Sequence, residues 1–259
     1  RRSVPERLLV SIALLLIGIV HLPALDAPFL MDDVPFLLEQ LPYFTLQGFP
    51  TLVAQTSRPL LYLTFYLNHL ITGANHIGMH TGNLLLHLSS CVLVYLLTRR
   101  VQQHTLQSSA SRFVPVATML LWGIHPLHSN VIAYVWQRGE ALGAFFYLLG
   151  LLLFLKSIAA TPARRPTYSL LCVLTFVLGL LSKETMVTFP VAVLLLDRAF
   201  AQHGVLTALR TRPRFYISLA VGWLLFIAMM GQTAGVFHEN PGIGFSSTVC
   251  TPWEYIMTM

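Results

Sequence analysis

"LLVSIALLLIGIVHLPAL" fills residues 8–25 with one imidazole and no charged side chain. At about 1.5 Å rise per residue such a run is about 27 Å long, close to the ~30 Å hydrocarbon thickness of a bilayer. Arg1, Arg2 and Arg7 precede it, as they would a secretory signal, but no small-residue cleavage pattern comes after it. It reads as a retained membrane span. Working outward, further apolar runs occupy 79–98, 113–129, 139–157, 167–182, 185–199 and 214–231, which makes seven in all, and the closing "TPWEYIMTM" is expected to open an eighth. Composition agrees: of 259 residues 55% are hydrophobic and 10% charged, against about a quarter charged in soluble domains. The expected fold is all-α, a polytopic transmembrane helix bundle of about seven or eight spans.

The stretch 26–78 differs. It contains "SRPLLYLTFYLNHLITG" (57–73), apolar but interrupted by Arg58, Asn68 and His69, a pattern suited to a helix lying at the membrane interface. Lys and Arg decide orientation, because they are retained on the cytoplasmic side. With a cytoplasmic N-terminus and 26–78 as one large extracytoplasmic loop, thirteen of the sixteen bases fall inside: Arg1, Arg2, Arg7, Arg99, Arg100, Arg112, Lys156, Arg164, Arg165, Arg198, Arg210, Arg212 and Arg214. A full span at "RPLLYLTFYLNHL" (58–70) would invert everything after it and place most of them outside. The whole of 1–259 then reads as a single membrane module, expected to be a fragment truncated at its C-terminus, in a bacterial inner membrane or the endoplasmic reticulum.

Several classes are excluded. Cys91, Cys172 and Cys250 have no ligand-like spacing, and the bases are scattered between apolar stretches rather than gathered in a nucleic-acid-binding module. Gly-rich phosphate loops and nucleophile elbows are absent, and so are the matched broken helices of a transporter.

On the outer side this topology leaves three bases, Arg58, Arg138 and Lys183, and the acids Asp26, Asp32, Asp33, Glu39, Glu140, Glu184, Glu239 and Glu254. Arg138 with Glu140, and Lys183 with Glu184, fall where spans meet in short turns. Ionisable groups there line a polar cavity or pair with one another, since lipid exposure is costly. The adjacent Asp32 and Asp33 suit either an N-cap before "VPFLLEQL", with Pro35 in the first turn, or chemistry. His125 and His128 share "HPLH", but Pro126 breaks their helix. His80 and His87 stand about 10 Å apart along a helix, too far for one ion, so both pairs suit hydrogen bonding between spans.

These strings together carry a resemblance. "MDDVPFL" (31–37), "SRPLLYLTFYLNHLITGANHIGMHTGNLLLHLSSCVLVYLL" (57–97), "GIHPLHSNVIAYVWQRGEAL" (123–142) and "LSKETMVTFPVAVLLLD" (181–197) occur in this order. They resemble the N-terminal membrane module of the transmembrane and tetratricopeptide-repeat O-mannosyltransferases and their bacterial relatives, in the GT-C class of glycosyltransferases. "HENPGIGFSSTVCTPWEYI" (238–256) is similar to the segment after the seventh span of such proteins.

The resemblance implies a GT-C-like fold and transfer of mannose or a similar hexose from a polyprenyl-phosphate carrier to a protein or glycan on the extracytoplasmic face. Such transfer needs a carboxylate to take the acceptor proton and positive groups or a metal to stabilise the leaving phosphate. Asp32 or Asp33 is implied as the base, or as ligand to a divalent Mn or Mg ion. Arg138 and Lys183, with Arg58, Glu140, Glu184, His125 and His128, are implied around the lipid phosphate or sugar. Where this family usually has Glu and Asp, the chain has Asn130 and Glu140. The Asn130 departure keeps an alternative in view: a non-catalytic GT-C-like subunit that packs among lipids and other integral proteins and stabilises an assembly.

Overall fold

A computed structural model describes residues 5–106, 111–201 and 204–234; Arg1, Arg2, Glu239, Cys250, Glu254 and the 238–256 stretch lie outside the described residues. The described chain is built of helices: α1 (Glu6–His21), α2 (Asp33–Phe36), α3 (Phe49–Ala54), α4 (Pro59–Thr72), α5 (His76–Leu106), α6 (Phe113–Gly123), α7 (Ser129–Ala133), α8 (Arg138–Ala159), α9 (Arg165–Leu180), α10 (Phe189–Ala201), α11 (Val205–Thr211) and α12 (Pro213–Ala234). Each of the seven apolar runs contains a helix. Three helical segments are long and apolar enough to cross a membrane, Glu6–Asp26, His76–Thr105 and Val135–Ala159, and the bent pair α11 and α12, at 98°, adds a fourth if counted as one span. They make the chain an integral membrane protein.

Local chemistry sets the breaks. The run 113–129 is not one continuous helix: α6 stops at Gly123, and Pro126, which lacks an N–H, opens a separate 3-10 turn. The run 185–199 likewise begins as a 3-10 turn, Glu184–Thr188, before α10 starts beside Pro190. In α4 the residues Leu61, Tyr62, Phe65 and Tyr66 are buried on one face, while Leu63, Leu67, Leu70 and Ile71 stay exposed. At 14 residues, α4 is about 21 Å long, short of a bilayer.

The helices pack in three groups: α1 with α5 and α6; the 29–54 loop with α4, α5 and α8; and α8 with α9, α10 and α12. Lipid tails are as apolar as Leu, so helices here associate through close packing rather than water release. Gly150 shows this: a Cβ on it would fall 2.6 Å from the Phe189 ring.

The bundle has two chemically distinct ends. At one, Glu6 of α1 meets Tyr95 and Arg99 of α5, and Asp197 of α10 meets Tyr216 and Arg212. Helix α8 runs from there about 33 Å to the other end, where the loop 26–58 and the turns at 134–138 and 181–185 collect.

Candidate active site

The "MDD" segment binds the start of α8. Asp33 is fully buried, and its carboxylate accepts the backbone N–H groups of Trp136 (2.6 Å), Leu30 (2.9 Å) and Val135 (3.4 Å). Burial pushes this carboxyl above its ordinary value, while the three N–H groups pull the other way. The capping expectation is corrected: Asp32 holds the N-cap position of α2 but makes no side-chain cap bond, and Asp33 reaches across the chain instead. Asp32 itself is exposed, and its backbone N–H donates to the Tyr134 hydroxyl at 3.1 Å. The Tyr134 phenol is pushed up to about 12 by burial and by hydrogen bonding to the Asp32 side chain. The two neighbouring acids therefore differ: one is a saturated anchor, the other an accessible carboxylate on a residue whose backbone meets a neutral phenol.

Trp136 extends the group. Its ring stacks on Phe36 (5.0 Å between centroids) and Phe65 (6.1 Å), and the Arg58 guanidinium stands 6.0 Å from its centre. Arg58 in turn grips Glu184 with both arms, Nε to Oε1 at 2.9 Å and Nη2 to Oε2 at 3.1 Å. Burial raises the Glu184 carboxyl, but the hydrogen bonds and charge of Arg58 outweigh it and hold the group below its usual range. Lys183 Nζ lies 3.0 Å from Glu140 Oε1. The ion pairs thus form across elements, Arg58–Glu184 and Lys183–Glu140, rather than within the short turns as the sequence suggested.

Glycines and one backbone bond hold this geometry. A Cβ on Gly143 would sit 3.2 Å from the Lys183 Cβ, so "RGEALG" (138–143) lets α8 approach the 182–185 turn. The Leu60 N–H donates to the Leu181 carbonyl at 3.1 Å, tying the start of α4 to that same turn.

Arg138, expected at the phosphate, has another role. It is 2% exposed, and its donors reach Asn83 Oδ1 (2.6 Å), Asn68 Oδ1 (2.8 Å) and the carbonyls of Met79 (2.7 Å) and Thr64 (3.3 Å). Four of the five guanidinium N–H groups are engaged this way, over the Phe65 ring at 4.5 Å. Arg138 therefore fastens α4, α5 and α8 together and is not free for a ligand.

His125 and His128 also separate from the acid-bearing group. His125 Nδ1 accepts the Leu127 N–H at 3.3 Å, and His128 packs on Trp122 (4.2 Å) and His87 (5.0 Å). No hydrogen bond, ion pair or ring contact among the described residues joins either to Asp32, Arg58, Lys183 or Glu184. His87 bonds the Gly123 carbonyl at 2.9 Å and His80 the Ile132 carbonyl at 2.7 Å, the inter-helix role expected for these two, and His21 bonds the same Gly123 carbonyl at 2.9 Å.

Among the described residues no group of three or more His, Cys, Asp or Glu side chains could hold a metal. With Asp33 saturated, Asp32 alone offers an open carboxylate beside the Trp136 turn, which is not a ligand set.

With this geometry in place, similarity to known proteins gains content. Mouse protein O-mannosyl-transferase TMTC4 is 32% identical over 143 residues, covering 51% of this chain and 19% of its own length. Human protein O-mannosyl-transferase TMTC1 is 31% identical over 139 residues, covering 51% and 15%. Drosophila melanogaster Tmtc2, also named a protein O-mannosyl-transferase, is 33% identical over 195 residues, covering 71% and 20%. The chain is similar to protein O-mannosyl-transferases. It spans about a fifth or less of the length of these relatives. No family model matches the chain, and no solved structure does.

Sequence reasoning singled out the acids and bases of this end but missed Tyr134 and Trp136. The available signal was their place in "AYVWQRGE", aromatic residues immediately before the break into α8.

Proposed function

We propose that this chain forms the N-terminal part of a GT-C-like bundle of seven or eight spans that transfers mannose or a similar hexose from a polyprenyl-phosphate carrier to a protein, or to a glycan acceptor, on the extracytoplasmic face. The protein acceptor and the sugar accord with the names of the relatives. The observation that carries the reading is the convergence of Asp32, Tyr134, Trp136, Arg58, Glu184, Lys183 and Glu140 at the end of the bundle opposite most of the bases.

In this reaction the bond from the sugar carbon to the carrier phosphate oxygen breaks, and a bond to the acceptor hydroxyl oxygen forms. Asp32 takes the hydroxyl proton as general base, and Tyr134 orients its carboxylate. The part-exposed Arg58 and Lys183 stabilise the charge growing on the phosphate. Each is already paired, with side-chain exposures of 24% for Arg58 and 34% for Glu184. Both pairs reach solvent, and a phosphate can take the same guanidinium and ammonium donors that the carboxylates now hold, so an arriving carrier phosphate can displace them. Arg138 would have to break several charge-assisted bonds at roughly 1.5–3 kcal/mol each, and is excluded from the role.

The test uses full-length protein in liposomes, with polyprenyl-phosphate mannose or a nucleotide-activated mannose as donor. Transfer from the lipid-linked donor alone is expected. Transfer from the nucleotide donor alone, or from neither with folded protein, contradicts the reading and favours the non-catalytic subunit.

A further inference from the structure

At the opposite end of the bundle the seam between α9 and α12 opens into a cavity of about 490 Å³, at the elbow where α11 turns into α12. Its polar lining includes Arg165, Arg214, Ser169 and Ser218, with Arg212 held by Asp197, and its apolar lining includes Leu170, Val173 and Phe215. A second cavity, of about 210 Å³, continues the same seam between Val177, Leu180 and Leu181 of one side and Gly222, Leu225 and Phe226 of the other. The lining residues on α9 recur at 170, 173, 177 and 180, one face of a helix. From Ser169 to Leu181 the seam is about 18 Å long, the length of a fatty acyl chain.

Charge decides what fits the mouth. Only Glu6 and Asp197 supply carboxylates at this end among the described residues, and each already faces its own base and phenol. Among those residues Arg165 and Arg214 are exposed and have no carboxylate partner. Two unneutralised guanidinium groups with hydroxyls beside them suit a phosphate diester, and the wall below is apolar and open to the membrane, with Leu170 59% exposed.

We propose that this seam binds one anionic glycerophospholipid, its phosphate between Arg165 and Arg214 and one acyl chain along α9 and α12. This site is independent of the glycosyl-transfer reading and lies at the other end of the bundle from the Asp32 group.

The test measures lipid bound to full-length protein in nanodiscs containing phosphatidylglycerol and phosphatidylcholine, by native mass spectrometry. Retained phosphatidylglycerol is expected to fall at least fivefold in Arg165→Ala/Arg214→Ala and to return in Arg165→Lys/Arg214→Lys. Arg210→Ala, which removes a base outside the seam, is expected to retain it. Val173→Trp fills the seam below intact arginines and is expected to release the lipid as well. No preference for phosphatidylglycerol in the wild type, as when another part of the chain or inorganic phosphate occupies the site, overturns the proposal. Equal loss in Arg210→Ala, or full retention in Val173→Trp, also overturns it.

Discussion

Arg58 and Arg138 stand at the same end of the bundle, both lie over aromatic rings, and they have opposite uses. Arg138 is buried and meets amide and carbonyl oxygens from two other helices, α4 and α5, with no carboxylate at hand. Arg58 is part-exposed and meets a carboxylate across the turn at 184. The same contrast divides the acids: Asp33 is enclosed by three N–H groups, whereas Asp32 faces outward beside Tyr134. A charged group whose bonding capacity is filled by the fold holds the fold. One held by an exchangeable partner at the surface can meet a ligand.

The largest effect separating the two classes is expected at Arg138. Arg138→Ala leaves two amide oxygens and two carbonyls facing an empty site, and the loss of stability should reach about 3–5 kcal/mol, read as a fall in the thermal midpoint in detergent. An unchanged midpoint would break the assignment of Arg138 as a fastener. Asp33→Ala comes next: three N–H groups lose their acceptor, for about 2 kcal/mol. Hydrogen exchange should quicken at Leu30, Val135 and Trp136, and protection retained at all three would mean the anchor lies elsewhere.

The smallest effect belongs to the exposed pair. Glu184 is held below its ordinary value of 4.5, so its contribution to stability is complete above that pH and is lost as pH falls through the lowered folded value. Wild type and Glu184→Gln should therefore differ at neutral pH by less than about 1 kcal/mol and converge under acid conditions. A difference that widens as pH falls would reverse the sign assigned to Glu184.

The sequence made the helices legible because their apolar runs are long and nearly uncharged. Among the described residues Arg100, Lys156 and Arg164 line one cavity and Arg165, Arg212 and Arg214 another, while Arg58 and Lys183 meet carboxylates near the start of α8. The pairing was not legible. Glu184 comes directly after Lys183, yet it reaches a residue 126 positions away, because neighbours across a 3-10 turn point apart. Which aspartate is free was equally hidden, since adjacent residues have the same composition and differ only in what the 134–136 turn brings to them. His125 and His128 were placed with the acids by the family resemblance; the break at Pro126 and the packing of His128 on Trp122 set them apart.

Asp32 as the acting carboxylate and Asp33 as its structural neighbour is tested most directly by mannose transfer from polyprenyl-phosphate mannose, comparing Asp32→Asn with wild type in full-length protein. The account predicts a rate about 10²–10⁴-fold lower with the thermal midpoint unchanged. Wild-type turnover in Asp32→Asn would contradict it.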